Sequence, residues 1–378
     1  MKSNAALRLF SGGLEYSIDQ QAALDSIWEW RASWPKAKQW FTLGGYAGTG
    51  KTTIISELLK GWRNVAVVAP TGKAVNRLKQ CGVEEASTIH GLIYRPWEDL
   101  EGKIHYKRIK ELEGIDTIIC DEASMVNQYL FNDLLCYTKP VLFVGDHGQL
   151  EPIGENPNLM VDPNVRLEKI HRQSESNPII RLAAAWREGR EQSVYDAVQS
   201  KGYWQDKEER CTVTSKNNFE QYIDSGMQLI CGFNNSRHRL NAICRERRGY
   251  GGPLPQPGEK LICLKNNKDF GIFNGQQAVC VCTHRPRRKN VEIELEMDDG
   301  RTITAACRIE QFGRNSITEH KDNEVALFDF AYVITCHKAQ GSEWPGVAIL
   351  EEIAGAWNPR RWRYTSTTRA KEKLVYCL

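Results

Sequence analysis

The stretch Gly44-Gly45-Tyr46-Ala47-Gly48-Thr49-Gly50-Lys51-Thr52-Thr53 constrains this chain more than any other. It contains G-x-x-x-x-G-K-T, the pattern of a phosphate-binding loop. The run Trp40-Phe41-Thr42-Leu43 before it reads as a buried strand, and residues 53–60 after it read as a helix. Strand, loop, helix is the order such a loop needs. Its glycines let backbone N–H groups wrap an anion at a helix N-terminus, where the dipole also favours negative charge. Gly45, Gly48, Thr49 and Gly50 then form the cradle, and Thr53 opens the helix. Lys51 is expected to reach the β- and γ-phosphates of a nucleotide, and the Thr52 hydroxyl to ligate Mg²⁺.

A chain of 378 residues suggests two or three domains. With 41% hydrophobic and 26% charged residues it is globular, and no apolar run is long enough to span a bilayer. Met1-Lys2-Ser3-Asn4 does not lead into a secretory segment. The twelve cysteines are scattered without a C-x-x-C pair, which argues against a zinc site or disulfide framework and for reduced thiols in the cytoplasm. Cys280 and Cys282 read as neighbours on one face of a strand. The formal charge of +3 is nearly neutral, so binding to nucleic acid must be argued from motifs. Arg237, Arg239, Arg245, Arg247 and Arg248 form one basic cluster; Arg285, Arg287, Arg288 and Lys289 a second; Arg360, Arg361 and Arg363 a third. Each reads equally well as a solvated face.

Taken in order, Ser17 is a candidate N-cap, and Gln20 just ahead of the phosphate loop can read adenine by donating to N7 and accepting from N6. A plain surface glutamine is the competing reading. A strand over 64–69 ends at Pro70-Thr71-Gly72-Lys73-Ala74, facing the crevice where α/β folds bind ligands. Two short arms around a turn at 99–102 predict a protruding hairpin carrying Tyr94, Trp97 and Tyr106. An apolar strand then ends in Asp121-Glu122. Asp121 is expected to hold Mg²⁺, and Glu122 to orient and activate the attacking water. After a further strand, Gln149 in Asp146-His147-Gly148-Gln149 can sense a γ-phosphate. The second half repeats the alternation with a strand at 227–231 and a basic helix from Asn234. Short strands and turns from 259 to about 325, with Asn274-Gly275 as a hairpin turn, predict an all-β insert. The α/β pattern returns at residue 328.

Together these segments resemble the superfamily 1 helicases, and most closely the branch that moves 5′ to 3′, with the RecD family and the compact Dda helicases of phages. Gln20, Gly45 to Thr52, Pro70 to Ala74, Thr88-Ile89-His90, Asp121-Glu122 and Gly145-Asp146-x-x-Gln149-Leu150 fall on its ordered motifs. The most specific match is Thr335-Cys336-His337-Lys338-Ala339-Gln340-Gly341-Ser342-Glu343 with Tyr364-Thr365-Ser366-Thr367-Thr368-Arg369-Ala370-Lys371. The resemblance implies an α/β fold of two RecA-like parallel-sheet domains. The first covers 1–173 with a pin insertion at about 91–114. The second covers 174–258 and 326–378, with an SH3-like insertion at 259–325. It implies ATP and Mg²⁺, with Arg172 and Arg369 reaching the γ-phosphate across the cleft and Glu343 accepting from the ribose. Pro70, Thr71, Lys73, Thr88, His90, Asn234, Asn274, Thr335 and His337 fall on DNA-contact positions. It implies a monomer acting on single-stranded DNA and duplex junctions, with replication or recombination proteins as partners and no membrane. On this resemblance a compact member is expected, without the N-terminal domain that some RecD relatives carry.

Three other readings stay open on the residues alone: an RNA-acting helicase, an ATP-switched single-strand binder, and a small-molecule kinase. Trp97 has two readings as well. It either wedges a duplex junction or packs against the insert.

Overall fold

In the computed structural model, residues 16–98, 104–151, 155, 157–169, 177–265, 267, 270–272, 274–298, 300–316 and 325–378 are described. Arg172 lies outside them. The first sheet has six parallel strands in the order Ser87–Thr88, Val65–Ala69, Thr117–Cys120, Val141–Gly145, Trp40–Gly45, Val165–Leu167. Successive side chains leave opposite faces of a strand, so both faces of this sheet are apolar. Ile119, Leu142 and Val144 pack on one side with the helices Ile18–Ala32, Lys51–Gly61 and Gly72–Gln80. Ile118, Val141 and Phe143 pack on the other with Gln128–Leu135. Ile54, Ile55 and Leu58 are fully buried, and at about 1.5–3 kcal/mol each they fix the phosphate-loop helix on the sheet. The strand order sets the loop's Trp40–Gly45 strand beside the one ending at Gly145, with the strand ending at Cys120 next.

From Thr88 the chain turns through a short helix, Ile89–Ile93, into a hairpin of Tyr94–Glu98 against Ile104–Arg108. Its root is bound to the body. The Tyr94 hydroxyl donates to Asp133, Arg108 lies 3.2 Å from Asp133, and the Tyr137 hydroxyl reaches the Ile93 and Ile109 carbonyls. Tyr94 is therefore a buried anchor and not a free ring on the finger. Trp97 pairs in register with His105, but its side chain lies outside the description, as does that of Tyr106.

The second sheet runs Val333–Thr335, Gln228–Cys231, Trp344–Leu350, Ala370–Cys377, Cys211–Thr214, Tyr203–Gln205 and is parallel except for the last strand. It too is buried on both faces. The insert is an antiparallel sheet of Thr302–Arg308, Asn290–Met297, Gln277–Thr283, Lys260–Cys263 and Phe328–Phe330. Phe328–Phe330 thus closes the insert instead of opening the returning α/β unit, because both its rings fall in the insert's core. A bulge between Cys280 and Cys282 separates that pair: Cys280 is buried and Cys282 half-buried. All twelve cysteines are free thiols. Among the described residues, no helix is long and apolar enough to cross a membrane.

The basic helix Asn234–Arg247 is misjudged by its charge count. Arg237 lies 2.5 Å from Asp329 with both side chains under 5% exposed, and Arg245 lies 2.7 Å from Glu259, which is fully buried. These arginines fasten the insert to the second domain. Removing one partner of a buried pair strands the other charge and costs about 3–5 kcal/mol. Arg237→Ala is therefore expected to lower unfolding free energy in urea by that amount, whereas Arg239→Ala, on the solvent side, should change it by less than about 0.5 kcal/mol. Equal effects would contradict the anchoring role.

Candidate active site

Between the two domains lies a cavity walled by Tyr46, Ala47, Gly48, Gly50, Lys51, Thr52, Arg77, Asp121, Glu122, Asp146 and Gln149 from the first domain and Glu343, Thr368 and Arg369 from the second. The carboxyl ends of three adjacent strands deliver the first wall, as expected for a ligand crevice in a parallel sheet. Gly48 and Gly50 have φ of +79° and +86°, left-handed values that glycine alone takes without strain, and Gly50 caps the helix that begins at Lys51. Lys51 Nζ donates to the Gly45 and Tyr46 carbonyls at 2.7 and 3.0 Å, so the ammonium is held inside the loop. Glu122 is 7% exposed with a left-handed backbone at φ +52°, an uncommon state for a residue with a side chain. Burial, with Glu122 beside it, pushes the Asp121 carboxyl up to about 6. A cation there would relieve both carboxylates, and Thr52 faces the same space, so the donor set fits Mg²⁺. Gln149 is 5% exposed and donates to Asp146, while its Oε1 has no partner among the described residues, as suits a residue awaiting a ligand.

The second domain grips this wall. The Tyr364 hydroxyl donates to Asp146 Oδ2 at 2.7 Å and accepts from the Ala47 N–H at 2.8 Å. Leu150 N–H donates to the Thr365 hydroxyl at 2.9 Å, Gln340 donates to the Leu150 carbonyl at 2.9 Å, and Arg361 pairs with Glu151. Arg187 lies 3.6 Å over the Tyr46 ring, which contacts His147. Burial pushes His147 down to about 4, so it is neutral near pH 7. Arg369, 2% exposed, donates to Thr365 O, Ser342 O and the Thr368 hydroxyl, which fixes its guanidinium at the cleft.

Gln20 sits differently from the expected adenine reader. It is 2% exposed; its amide oxygen accepts from Ser17 N–H in a capping box, and its nitrogen donates to the Thr49 carbonyl at 3.1 Å. It buttresses the loop from behind. Gly45, Thr49 and Thr53 likewise stand outside the cavity lining.

The expected nucleic-acid positions divide. Thr88 and Thr335 each end an edge strand and cap a short helix whose second residue is a histidine, accepting from Gly91 and Lys338 N–H. The two domains therefore repeat one Thr-x-His unit. His90 contacts the Tyr94 ring and His337 the Trp357 ring. Thr71 caps Gly72–Gln80, beside Pro70, and Asn234 is exposed at the head of its helix. Asn274 is exposed in the turn before Gln277–Thr283. Lys73 points elsewhere: its ammonium lies 3.4 Å from Asp298 of the insert and over the Trp344 ring.

Residues 16–209 match the family described as AAA domain, and residues 330–377 match the UvrD-like helicase C-terminal domain. The first match alone takes in just over half of the chain. The chain belongs to the superfamily 1 helicases, in their RecD-like and Dda-like group. The ATP-dependent RecD2 DNA helicase of Deinococcus radiodurans is 26% identical over 365 residues, covering 88% of this chain and 46% of that protein. The ATP-dependent DNA helicase dda of Enterobacteria phage T4 is 27% identical over 231 residues, covering 56% of this chain and 53% of that protein. The chain thus spans about half the length of these relatives. Bacteroides Pif1 bound to ssDNA shares the fold at a TM-score of 0.59, with 18% identity over 97% of this chain and 92% of that one.

Within this chain, two residues at the domain seam escaped the sequence reading. Arg77 lies 3.1 Å from Glu343 and 3.7 Å from Glu122, joining the two walls. Its signal was its position four residues after Lys73, which puts both on one helix face. Tyr364 was visible in a motif, but no role followed from its spacing. Tyr364→Phe removes one hydroxyl that serves both Ala47 and Asp146, a change worth about 1–3 kcal/mol. Backbone amide exchange at residues 46–48 should then quicken. Unchanged exchange there would show that the hydroxyl does not hold the loop.

Proposed function

We propose that this helicase hydrolyses ATP to move 5′ to 3′ along single-stranded DNA as a monomer, parting duplex strands at a junction. The observation that carries the reading is one cleft with Lys51, Thr52, Asp121 and Glu122 on one wall and Glu343 and Arg369 on the other. ATP is the substrate, and Lys51 exchanges its loop carbonyls for β- and γ-phosphate oxygens. Mg²⁺ held at Thr52 and Asp121 would neutralise phosphate charge. Glu122 orients water for attack and accepts its proton, with Arg77 as the neighbouring charge that positions the carboxylate. Negative charge that grows on the transferred phosphoryl is met by Arg369 from the opposite wall, joined by Arg172. Gln149 reads the γ-phosphate, and Glu343 accepts from the ribose.

Two Thr-x-His units, one per domain, suit a strand that crosses both: Thr88 and His90, then Thr335 and His337. Pro70, Thr71, Asn234 and Asn274 complete the candidate path. Direction rests on the resemblance of the ordered motifs to the 5′-to-3′ branch, and DNA as the strand on the relatives' names. The hairpin with Trp97 serves as the separating pin, and the five-stranded insert as an SH3-like support.

Glu122→Gln is expected to keep ATP binding but lower turnover by about 10²–10⁴, because only water activation is lost. Arg369→Ala should lower kcat by about 10³ or more with a much smaller change in nucleotide affinity. Turnover by Glu122→Gln near that of the unaltered protein would remove the base. Duplexes with 5′ DNA, 3′ DNA or RNA tails test the direction and the strand: only the 5′ DNA tail should support unwinding, and preference for either of the others overturns that part of the proposal.

A further inference from the structure

Three rings crown the carboxyl edge of the second sheet, and the steps above use only one of them. The strands Val333–Thr335, Gln228–Cys231 and Trp344–Leu350 are parallel neighbours in that order. The chain leaving each strand supplies one ring: His337, Phe233 and Trp357. The Trp357 ring centre lies 5.7 Å from that of Phe233, at 31° between planes, and 4.9 Å from that of His337. Phe233 is 39% exposed, and the other two are half-buried. An open aromatic row at the edge where this fold takes ligands is costly to leave in water unless something covers it.

The backbone beneath the row is rigid. The Glu352 carboxylate accepts from Gly232 N–H and Phe233 N–H, both at 3.1 Å, and from the Ser236 hydroxyl. A Cβ on Gly232 would fall 2.0 Å from the Glu352 carbonyl oxygen, so only glycine permits this approach. The head of the helix Asn234–Arg247 thus already holds an internal carboxylate, and a nucleic-acid phosphate is not needed there. Burial lowers the His337 pKa, which leaves a neutral ring. Ring faces are what this surface offers.

We propose that Phe233 and Trp357 form a stacking platform for a nucleobase of the bound single strand, next to Thr335 and His337. This rests on the reading of the chain as a single-strand translocating helicase. Base–aromatic stacking tolerates any sequence, because every base has a π-face, which suits a motor that must pass over all of them.

The test measures affinity for single-stranded oligodeoxythymidine, and for the same strand with abasic sites, by fluorescence anisotropy across a salt series. Trp357→Ala and Phe233→Ala are expected to weaken binding of the intact strand by about tenfold and of the abasic strand far less. Trp357→Phe should restore most of the affinity, and the slope of log Kd against log salt should not change, since no phosphate contact is lost. Melting temperatures are read alongside. If Trp357→Ala is unfolded, Phe233→Leu, which keeps bulk but removes the aromatic face, decides. Equal losses on intact and abasic strands, a shallower salt slope, or unchanged affinity would overturn the platform. Failure of the unaltered protein to bind any single strand would overturn both this and the functional reading, whereas binding with unaffected variants would overturn the platform alone.

Discussion

The Tyr364 hydroxyl joins the two domains through one atom: its oxygen donates to Asp146 and accepts from the Ala47 N–H of the phosphate loop. It reaches from the helix Pro359–Thr367 of the second domain into the first. Burial pushes its pKa well up, so it remains a neutral hydroxyl able to do both. Leu150, Gln340 and Thr365 extend the same seam, and Arg369 is fixed one turn further along. The loop that would hold phosphate and the helix that leads into the opposing arginine are therefore mechanically one unit. A change in what occupies the loop has a short route to the second domain.

The insert is held by a different kind of force. Arg237–Asp329 and Arg245–Glu259 are buried ion pairs, and desolvation makes such pairs poor sources of net stability but costly to break singly. They define where the insert sits. Lys73–Asp298, with Trp344 beneath the ammonium and donating to Gln277, ties the insert back to the first domain. The insert thus touches both domains close to the cleft, so closure of the domains would be felt at its turn.

What could be read from sequence was what short range determines. The phosphate loop carries its strand, glycines and helix within one stretch, and the parallel strands announce themselves as apolar runs because both sheet faces are buried. The Ser17 cap and the positive-φ turn at Gly275 were legible for the same reason. What failed was partner choice. Five clustered arginines look alike in a charge count, yet two are internal anchors. Lys73 lies in a motif but is drawn to an aspartate more than two hundred positions away. Gln20 was read by residue type, while its capping box and Thr49 contact consume the amide. The Arg77–Glu343 pair and the Tyr364 contacts cross the domain seam, and no local pattern encodes a contact that exists once two domains meet.

The coupling through Tyr364 is tested most directly by ATP turnover with and without single-stranded DNA, in the unaltered protein and in Tyr364→Phe. The expected result is DNA stimulation in the unaltered protein and its loss in the variant, with ATP affinity changed much less than stimulation. Equal stimulation in both proteins would contradict the claim that this hydroxyl joins the loop to the second domain.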